Sequence, residues 1–381
     1  MSKLRMLVSG AGIAGPTLAF WLARAGALVT IIERAPVLRA IGQNIDNCGA
    51  GIGVIQRMGL EDIICKNKTN EEGIAFVDAI NRPKAQFEVY HSGKGKSFTS
   101  DTEISRETLA KILHDGTKEE ADSTPQREFD LLVAGDGLGS PTRSLIFAHV
   151  GKICIRSLNQ CTSYFSIPYQ DPDGTLARWY NAPGRRCTLT RPNNAGKTIV
   201  FLSIISISEK LQSHSKLSQN EQKQSMHEIF PNAGWEASRM LAGMDTTDDF
   251  YMQSNAQVKL DSWSKGRMSV VGAAAFCPSP ISGMGTTVAI VGAYILAGEI
   301  SRCGTDYEKA FEAYESIMRP FVDTAQSLPP GAPAIANPET AWGNNLMNRL
   351  LDFVSWNGLE SLLGRFGGPP ADAIVLPGHE M

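Results

Sequence analysis

The sequence predicts an α/β protein in which a Rossmann-like βαβ domain is interleaved with a mainly antiparallel β-sheet domain, with helices closing the C-terminal end. Three observations carry that expectation. A strand–glycine–helix–strand unit opens the chain at 4–33. A strand-rich stretch broken by Pro, Gly and Asn turns fills 153–207. Helical periodicity returns at 286–301 and 307–325.

The opening unit, LRMLVSGAGIAGPTLAFWLARAGALVTIIERAP, reads as a buried strand over 4–9, a glycine turn, a helix over 17–25 ended by Gly26, and a second strand over 28–32. Gly10, Gly12 and Gly15 supply G-x-G-x-x-G, with Ile13 and Ala14 between them. Gly10 permits the tight turn, Gly12 lets a pyrophosphate approach the backbone, and Gly15 lets helix and strand pack closely. The helix N-terminus offers free N–H groups to phosphate. Glu33, followed by Arg34, stands where an acid can accept hydrogen bonds from an adenosine ribose. The pattern points to a dinucleotide, NAD or FAD, and does not choose between them.

Helices are expected over 50–58 and 104–114, the latter with Arg106 near its start. Short strands are expected over 74–77, 86–90 and 129–134. Gly135-Asp136-Gly137 follows the last of these. The antiparallel sheet is drawn from 163–167, 177–181, 187–191 and 198–205, then polar helices from 219–229 and 234–242, then strands from 258–260 and 268–271. VVGAAAFCPSPISGMG at 270–285 reads as a strand entering a Pro- and Gly-rich loop before a helix. The expected division is 1–73, 104–150 and 261–325 for the dinucleotide domain, 74–103 and 151–260 for a substrate domain, and 326–381 for a helical tail.

Composition bounds the function. The chain has 381 residues, 43% apolar and 20% charged, with a net charge of −3, an ordinary globular profile. Its pI near 6.1 speaks against a nucleic-acid partner. Seven Cys without C-x-x-C, and six dispersed His, signal neither disulfide framework nor metal site. The apolar start after Lys3 and Arg5 is broken by glycines, unlike a signal peptide. The run 288–297 is too short to span a bilayer. A cytoplasmic protein without membrane contact, acting on a small molecule, is the expectation; oligomeric state stays open.

The order of motifs resembles the single-component FAD-dependent aromatic hydroxylases, in the subgroup that includes tetracycline-inactivating monooxygenases. The likeness rests on GAGIAGP at 10–16, IERAP at 32–36, IGQNID at 41–46, EISRETLAKIL at 103–113, AGDGLGSPTR at 134–143, ARWYNAPG at 177–184, DSWSKGRMSVVG at 261–272, CPSPISGMGTTVAIVGAYILAGE at 277–299 and MRPFV at 318–322. It implies that Gly10, Gly12, Gly15 and Glu33 hold the ADP part of FAD. Arg106 reaches the flavin and pyrophosphate region, and Asp136 and Gly137 lie beside the pyrophosphate. Gly272, Ala273, Pro278, Gly283, Met284, Gly285 and Thr286 frame the isoalloxazine. It also implies NADPH or NADH as reductant and transfer of one oxygen atom to a substrate, aromatic or polycyclic and polyketide-like by family precedent.

The chain departs from that family twice. The family's Gly-Asp after this strand, whose Asp grips the ribityl chain, is Gly272-Ala273 here. A β-excursion that walls the adenine pocket is reduced to the polar stretch 115–128. One lost hydrogen bond costs roughly 1–3 kcal/mol. Two further readings therefore stand beside the monooxygenase: a cofactor-free isomerase or cyclase reusing the cavity, and a non-catalytic binding protein. Acid–base candidates for the former are Tyr164, Arg178, Tyr180 and Arg191. Cys277 reads as a small buried hydrophobe.

Overall fold

The computed structural model describes residues 3–35, 44–46, 49–88, 103–117, 128–148, 154–193, 196–357 and 374–381. Its first half runs β1 (Arg5–Ser9), α1 (Ala14–Arg24), β2 (Leu28–Ile32), β3 (Asn44–Asp46), α2 (Ala50–Met58), α3 (Glu61–Lys66), β4 (Gly73–Val77), β5 (Pro83–Glu88), β6 (Glu103–Ser105), α4 (Arg106–Asp115), β7 (Leu131–Ala134) and α5 (Pro141–Phe147). There follow β8 (Ile155–Pro168), β9 (Ala177–Ala182), β10 (Arg186–Pro192), β11 (Lys197–Ile205), α6 (Glu209–Gln212), α7 (Gln219–Ile229), α8 (Ala237–Thr246) and β12 (Tyr251–Val258). The chain closes with β13 (Ser264–Lys265), β14 (Met268–Val270), α9 (Ala273–Phe276), α10 (Gly285–Cys303), α11 (Tyr307–Gln326) and α12 (Ala341–Trp356).

Two sheets organise these elements. A five-stranded sheet has the order β13-β14-β7-β1-β2, parallel except for the β13–β14 hairpin. Its central strands β1 and β7 are near-continuous apolar runs, and α1 packs on β1 and β2 with α10 lying on α1. A seven-stranded sheet has the order β12-β8-β11-β10-β9-β4-β5, antiparallel except where β4 meets β9. α7 and α8 bury Met226, Met240 and Met244 against one face of it. α10 is apolar on nearly all sides and is packed by α1, α2 and α11.

Four elements differ from the expectation. The helix expected at 104–114 starts at Arg106, because Glu103–Ser105 pairs with Asn44–Asp46 and the Ser105 hydroxyl caps the helix, accepting from the Thr108 N–H at 3.1 Å. The strand expected at 258–260 is Tyr251–Val258. Its polar Gln253, Ser254 and Asn255 hide the alternation, yet they pair with Thr162, Cys161 and Gln160 of β8. α1 begins at Ala14, so the last glycine of the motif already lies in the helix. The 273–276 alanines form one helical turn instead of a loop, in line with the helix preference of Ala. Residues 118–127 of the shortened segment, the 89–90 end of the expected strand and the first three residues of IGQNID lie outside the described residues.

The segment 374–381 lies across α2 and α10. The Arg57 guanidinium donates to the Pro377 carbonyl at 2.9 Å and the Tyr294 hydroxyl donates to it at 2.8 Å. The His379 ring sits directly over Gly298, where any Cβ would overlap it. Glu299 lies 3.8 Å from its Nε2.

Gly298→Ala is expected to expel His379 and free this segment. Limited proteolysis should then cut after 374 while the far-UV spectrum stays native. Burial also holds the His379 pKa below the ordinary histidine range, outweighing Glu299, with Arg302 and Arg57 acting in the same direction as burial. The seated ring therefore binds fewer protons than a free one, so docking weakens as pH falls through the free histidine value. The same proteolysis should speed up between neutral pH and about pH 5 in the native chain, and much less in His379→Phe.

Candidate functional site

Three turns meet at the C-terminal ends of β1, β7 and β14, and glycine backbone makes the meeting close. A Cβ on Gly15 would overlap the Gly10 carbonyl oxygen. One on Gly10 would stand 2.6 Å from the Gly135 carbonyl, and one on Gly272 2.7 Å from the Ala14 Cβ. Gly10 and Gly272 also have φ of +107° and +64°. By contrast, a Cβ on Gly12, Gly137, Gly283 or Gly285 meets no atom within 4 Å. The first group of glycines packs the turns together; the second borders open space.

That open space is ringed by suitable groups. The first turn of α1 carries Ile13 and Ala14 and ends in unpaired N–H groups. The Glu33 carboxylate reaches back over this turn, accepting from the Ala11 N–H and the Ala35 N–H at 2.9 Å each. Arg34 beside it is exposed. Asp136 accepts from the Ser140 hydroxyl and, at 3.1 Å, from the Thr142 N–H. Pro278 is buried, while Gly283 and Gly285 are exposed on either side of buried Met284, and Thr286 is half-buried in the first turn of α10. Arg106 is exposed at the start of α4. Its charge is near enough to favour ionisation of both Tyr164 and Cys277, yet burial dominates and pushes both pKa values up. A helix N-terminus, a carboxylate at the end of β2 and a Gly-lined lane fit a flavin dinucleotide. Ala273, half-buried at the third turn, brings only a methyl group.

One residue that shapes the site is not announced by the sequence pattern. Arg143 is buried, and its guanidinium donates to the Leu138 carbonyl at 2.8 Å and to the Ala274 carbonyl at 2.9 Å. It ties the second turn to the third. The signal was an Arg in the first turn of a short helix with apolar neighbours.

Opposite the turns stands the seven-stranded sheet. Cross-strand register lines up Tyr251, Tyr164, Phe201, Leu189, Trp179 and Phe76 in one row on one face. Tyr164 stacks on Tyr251 at 4.7 Å and 11°, and meets Phe201 edge-on at 4.9 Å. The C-terminal end of β12 touches the third turn, where the Val258 N–H donates to the Cys277 carbonyl at 3.0 Å.

The structure divides the four acid–base candidates. Tyr164 and Arg191 lie on the aromatic face. Arg191, itself half-buried, pairs with buried Glu71 at 2.7 Å and with buried Glu103. Arg178 and Tyr180 lie on the opposite face. The Tyr180 hydroxyl donates to the Ala233 carbonyl at 2.9 Å beneath the helices, and Arg178 donates to Asn81 and to the Asp173 carbonyl. Strand alternation keeps these two away from Tyr164, so the four do not form one constellation. Among the described residues no group of His, Cys, Asp and Glu could hold a metal ion, and no helix is long and apolar enough to cross a membrane.

No family model matches the chain. Individual proteins do. It is 32% identical to the FAD-dependent monooxygenase asL4 of Sarocladium schorii over 93% of each chain. It is 33% identical to the flavin-dependent monooxygenase eupH of a Phoma species, over 98% of this chain and 96% of that one. With monooxygenase CTB7 of Cercospora beticola it shares 34% over 100% and 98%. Among solved structures, tetracycline destructase Tet(51) superposes with a TM-score of 0.77 at 28% identity, covering all of both chains. Klebsiella pneumoniae HpxO, complexed with FAD and uric acid, superposes at 0.71 with 16% identity over 96% and 97%, a likeness of fold alone. Identity of this level along almost the whole length shows that the chain belongs to the FAD-dependent monooxygenases.

Proposed function

We propose that the chain oxygenates an aromatic or polycyclic, polyketide-like small molecule lying on the Tyr251–Tyr164–Phe201 end of the aromatic row. The observation that carries this is the row itself, which gathers aromatic side chains across the sheet opposite the three turns. Rings of a planar substrate gain offset or edge contacts there, worth about 0.5–1.5 kcal/mol each beyond area burial. That tetracycline destructases and a uric-acid-bound protein share the fold is consistent with a flat, ring-bearing ligand.

FAD, when bound, accepts electrons from a nicotinamide donor and activates oxygen, and NADPH or NADH is the reductant we assign to it. Gly12, Ile13, Ala14 and Gly15 would hold its pyrophosphate through backbone N–H groups, while Gly10, whose N–H donates to the Ile32 carbonyl at 2.7 Å, would shape the turn beneath it. Glu33 and Arg34 would hold its ribose, Asp136 and Gly137 the middle of the molecule. Gly272, Ala273, Pro278 and 283–286 would border the ring, with the positive end of α10 favouring negative charge there. Arg106 would add a second positive charge from α4. Tyr164 is a neutral phenol at physiological pH, and burial raises its pKa further, so it would orient substrate without introducing charge. Arg178 and Tyr180 serve the sheet and its helices.

Purified chain titrated with FAD, followed by quenching of flavin fluorescence, should saturate. Ala273→Asp should tighten the dissociation constant by about tenfold to a hundredfold and no more, since one hydrogen bond is at stake and the 115–128 segment is unchanged. A chain that takes up no flavin at any concentration would end the monooxygenase reading in favour of a cofactor-free one.

Substrate-face variants separate the two sides of the sheet. Tyr251→Leu should raise KM about tenfold and leave the FAD dissociation constant unchanged. Tyr180→Phe should lose about 1 kcal/mol of stability with kcat/KM within about twofold of the parent. Steady-state kinetics beside thermal melts distinguishes them, and the reverse pattern would move the substrate to the helix-covered face.

A further inference from the structure

α12 has two apolar faces, and among the described residues only one is packed against the rest of the molecule. The inner face is fastened to the seven-stranded sheet: Leu351 and Val354 pack with Phe76, Phe87 and Trp179. The Asn344 amide donates to the Asn181 carbonyl at 3.1 Å, and the Ser355 hydroxyl donates to the Gln86 carbonyl at 2.9 Å. The Thr340 hydroxyl caps the helix through the Gly343 N–H at 3.0 Å. The outer face carries Trp342, Leu346, Leu350, Phe353 and Trp356, which are 73%, 43%, 58%, 60% and 89% exposed. Their spacing of three and four makes one stripe along about 24 Å of helix.

We propose that this stripe is the contact between two copies of the chain, paired antiparallel about a two-fold axis near Leu350. Three observations favour a second copy over other occupants. The exposed apolar surface is on the order of 600 Å² per copy, taking about 150–250 Å² for each aromatic side chain. Two copies then bury about 1,200 Å², the lower bound of a specific interface. The pattern is self-complementary: antiparallel pairing sets Trp342 against Trp356 of the partner subunit and Leu346 against Phe353 of the partner subunit. The charged residues of the helix are Arg349 and Asp352, one of each sign and both exposed, Arg349 between Trp342 and Trp356 within the stripe and Asp352 at its edge. Antiparallel pairing brings Arg349 within about a helical turn of Asp352 of the partner subunit. A lipid surface would call for a cationic rim, and a helix with one Arg and one Asp does not supply it. Because α12 also covers the Phe76–Trp179 end of the aromatic row, the pairing stiffens the wall that faces substrate.

The test is the mass in solution of the full chain with FAD added, by sedimentation velocity across a concentration series. The unmodified chain should be a dimer at micromolar concentration. Leu350→Glu should raise the dimer dissociation constant at least about a hundredfold without changing the thermal midpoint, because the residue is on the outer face. Arg349→Asp and Asp352→Arg should each weaken the dimer, and the double variant should recover most of the loss, a pattern that general surface stickiness does not produce. A monomer at every concentration overturns the proposal. So does a monomer that binds vesicles of phosphatidylcholine and phosphatidylserine, which would give the stripe to a membrane. Retained dimer in Leu350→Glu overturns it too, by placing the contact elsewhere.

Discussion

Everything in the cofactor half depends on three chain reversals coming within backbone contact of one another. Gly10 against Gly135, Gly15 against Gly10 and Gly272 against Ala14 leave no room for a single extra methyl group. Such proximity fixes the height of α1 over β1 and the position of α9 beside it. It also fixes the direction in which α10 leaves the third turn. The same local chemistry, absence of a side chain, has the opposite use at Gly12, Gly137, Gly283 and Gly285, where it keeps space open. One residue type thus closes the frame and opens the lane beside it, and position in the turn decides which.

The second constraint is the two-residue period of the sheet. Along β9, Tyr180 and Trp179 are neighbours in sequence and point to opposite sides. The first is bonded beneath α8 through the Ala233 carbonyl, and the second joins the aromatic row. Side-chain chemistry alone made Tyr180 and Arg178 look as suitable as Tyr164 and Arg191. Register removed that equivalence, because Leu189 opposite Trp179 and Phe201 opposite Leu189 define a face that only the latter two share. The aromatic row is assembled from six strands spread between residues 76 and 251, and no window of sequence contains it.

This explains what was legible. The 10–33 unit was readable because strand, glycines, helix and acid are contiguous, and each owes its conformation to neighbours within a few residues. α10 and α11 were readable from periodicity, to within two residues at each end. β12 was misplaced because its partner-dependent residues, Gln253 to Asn255, carry no apolar alternation. The ion pair of Arg191 with Glu71 and Glu103 was hidden because its members come from three distant segments. Arg143 lay inside a quoted motif and still went unnoticed, since its partners are main-chain carbonyls that no side-chain pattern announces.

Arg143 also bears on the residue that departs most from the family. A turn that relied on the carboxylate of an Asp at 273 for its shape would have changed when that residue became Ala. Here the shape rests on other supports. The Arg143 guanidinium holds the Ala274 carbonyl, the Phe276 N–H donates to the Gly272 carbonyl at 2.9 Å, and Phe276 packs on Trp263 at 4.8 Å. The substitution therefore acts on a ligand and not on the fold, and its scale is that of one hydrogen bond, roughly 1–3 kcal/mol. Backbone donors of the first turn, the Glu33 carboxylate and the α10 terminus are unaffected by it. With FAD placed as proposed, several contacts of similar size would outweigh the loss of one, so a methyl group at 273 would loosen the grip on flavin without removing the reason for the frame.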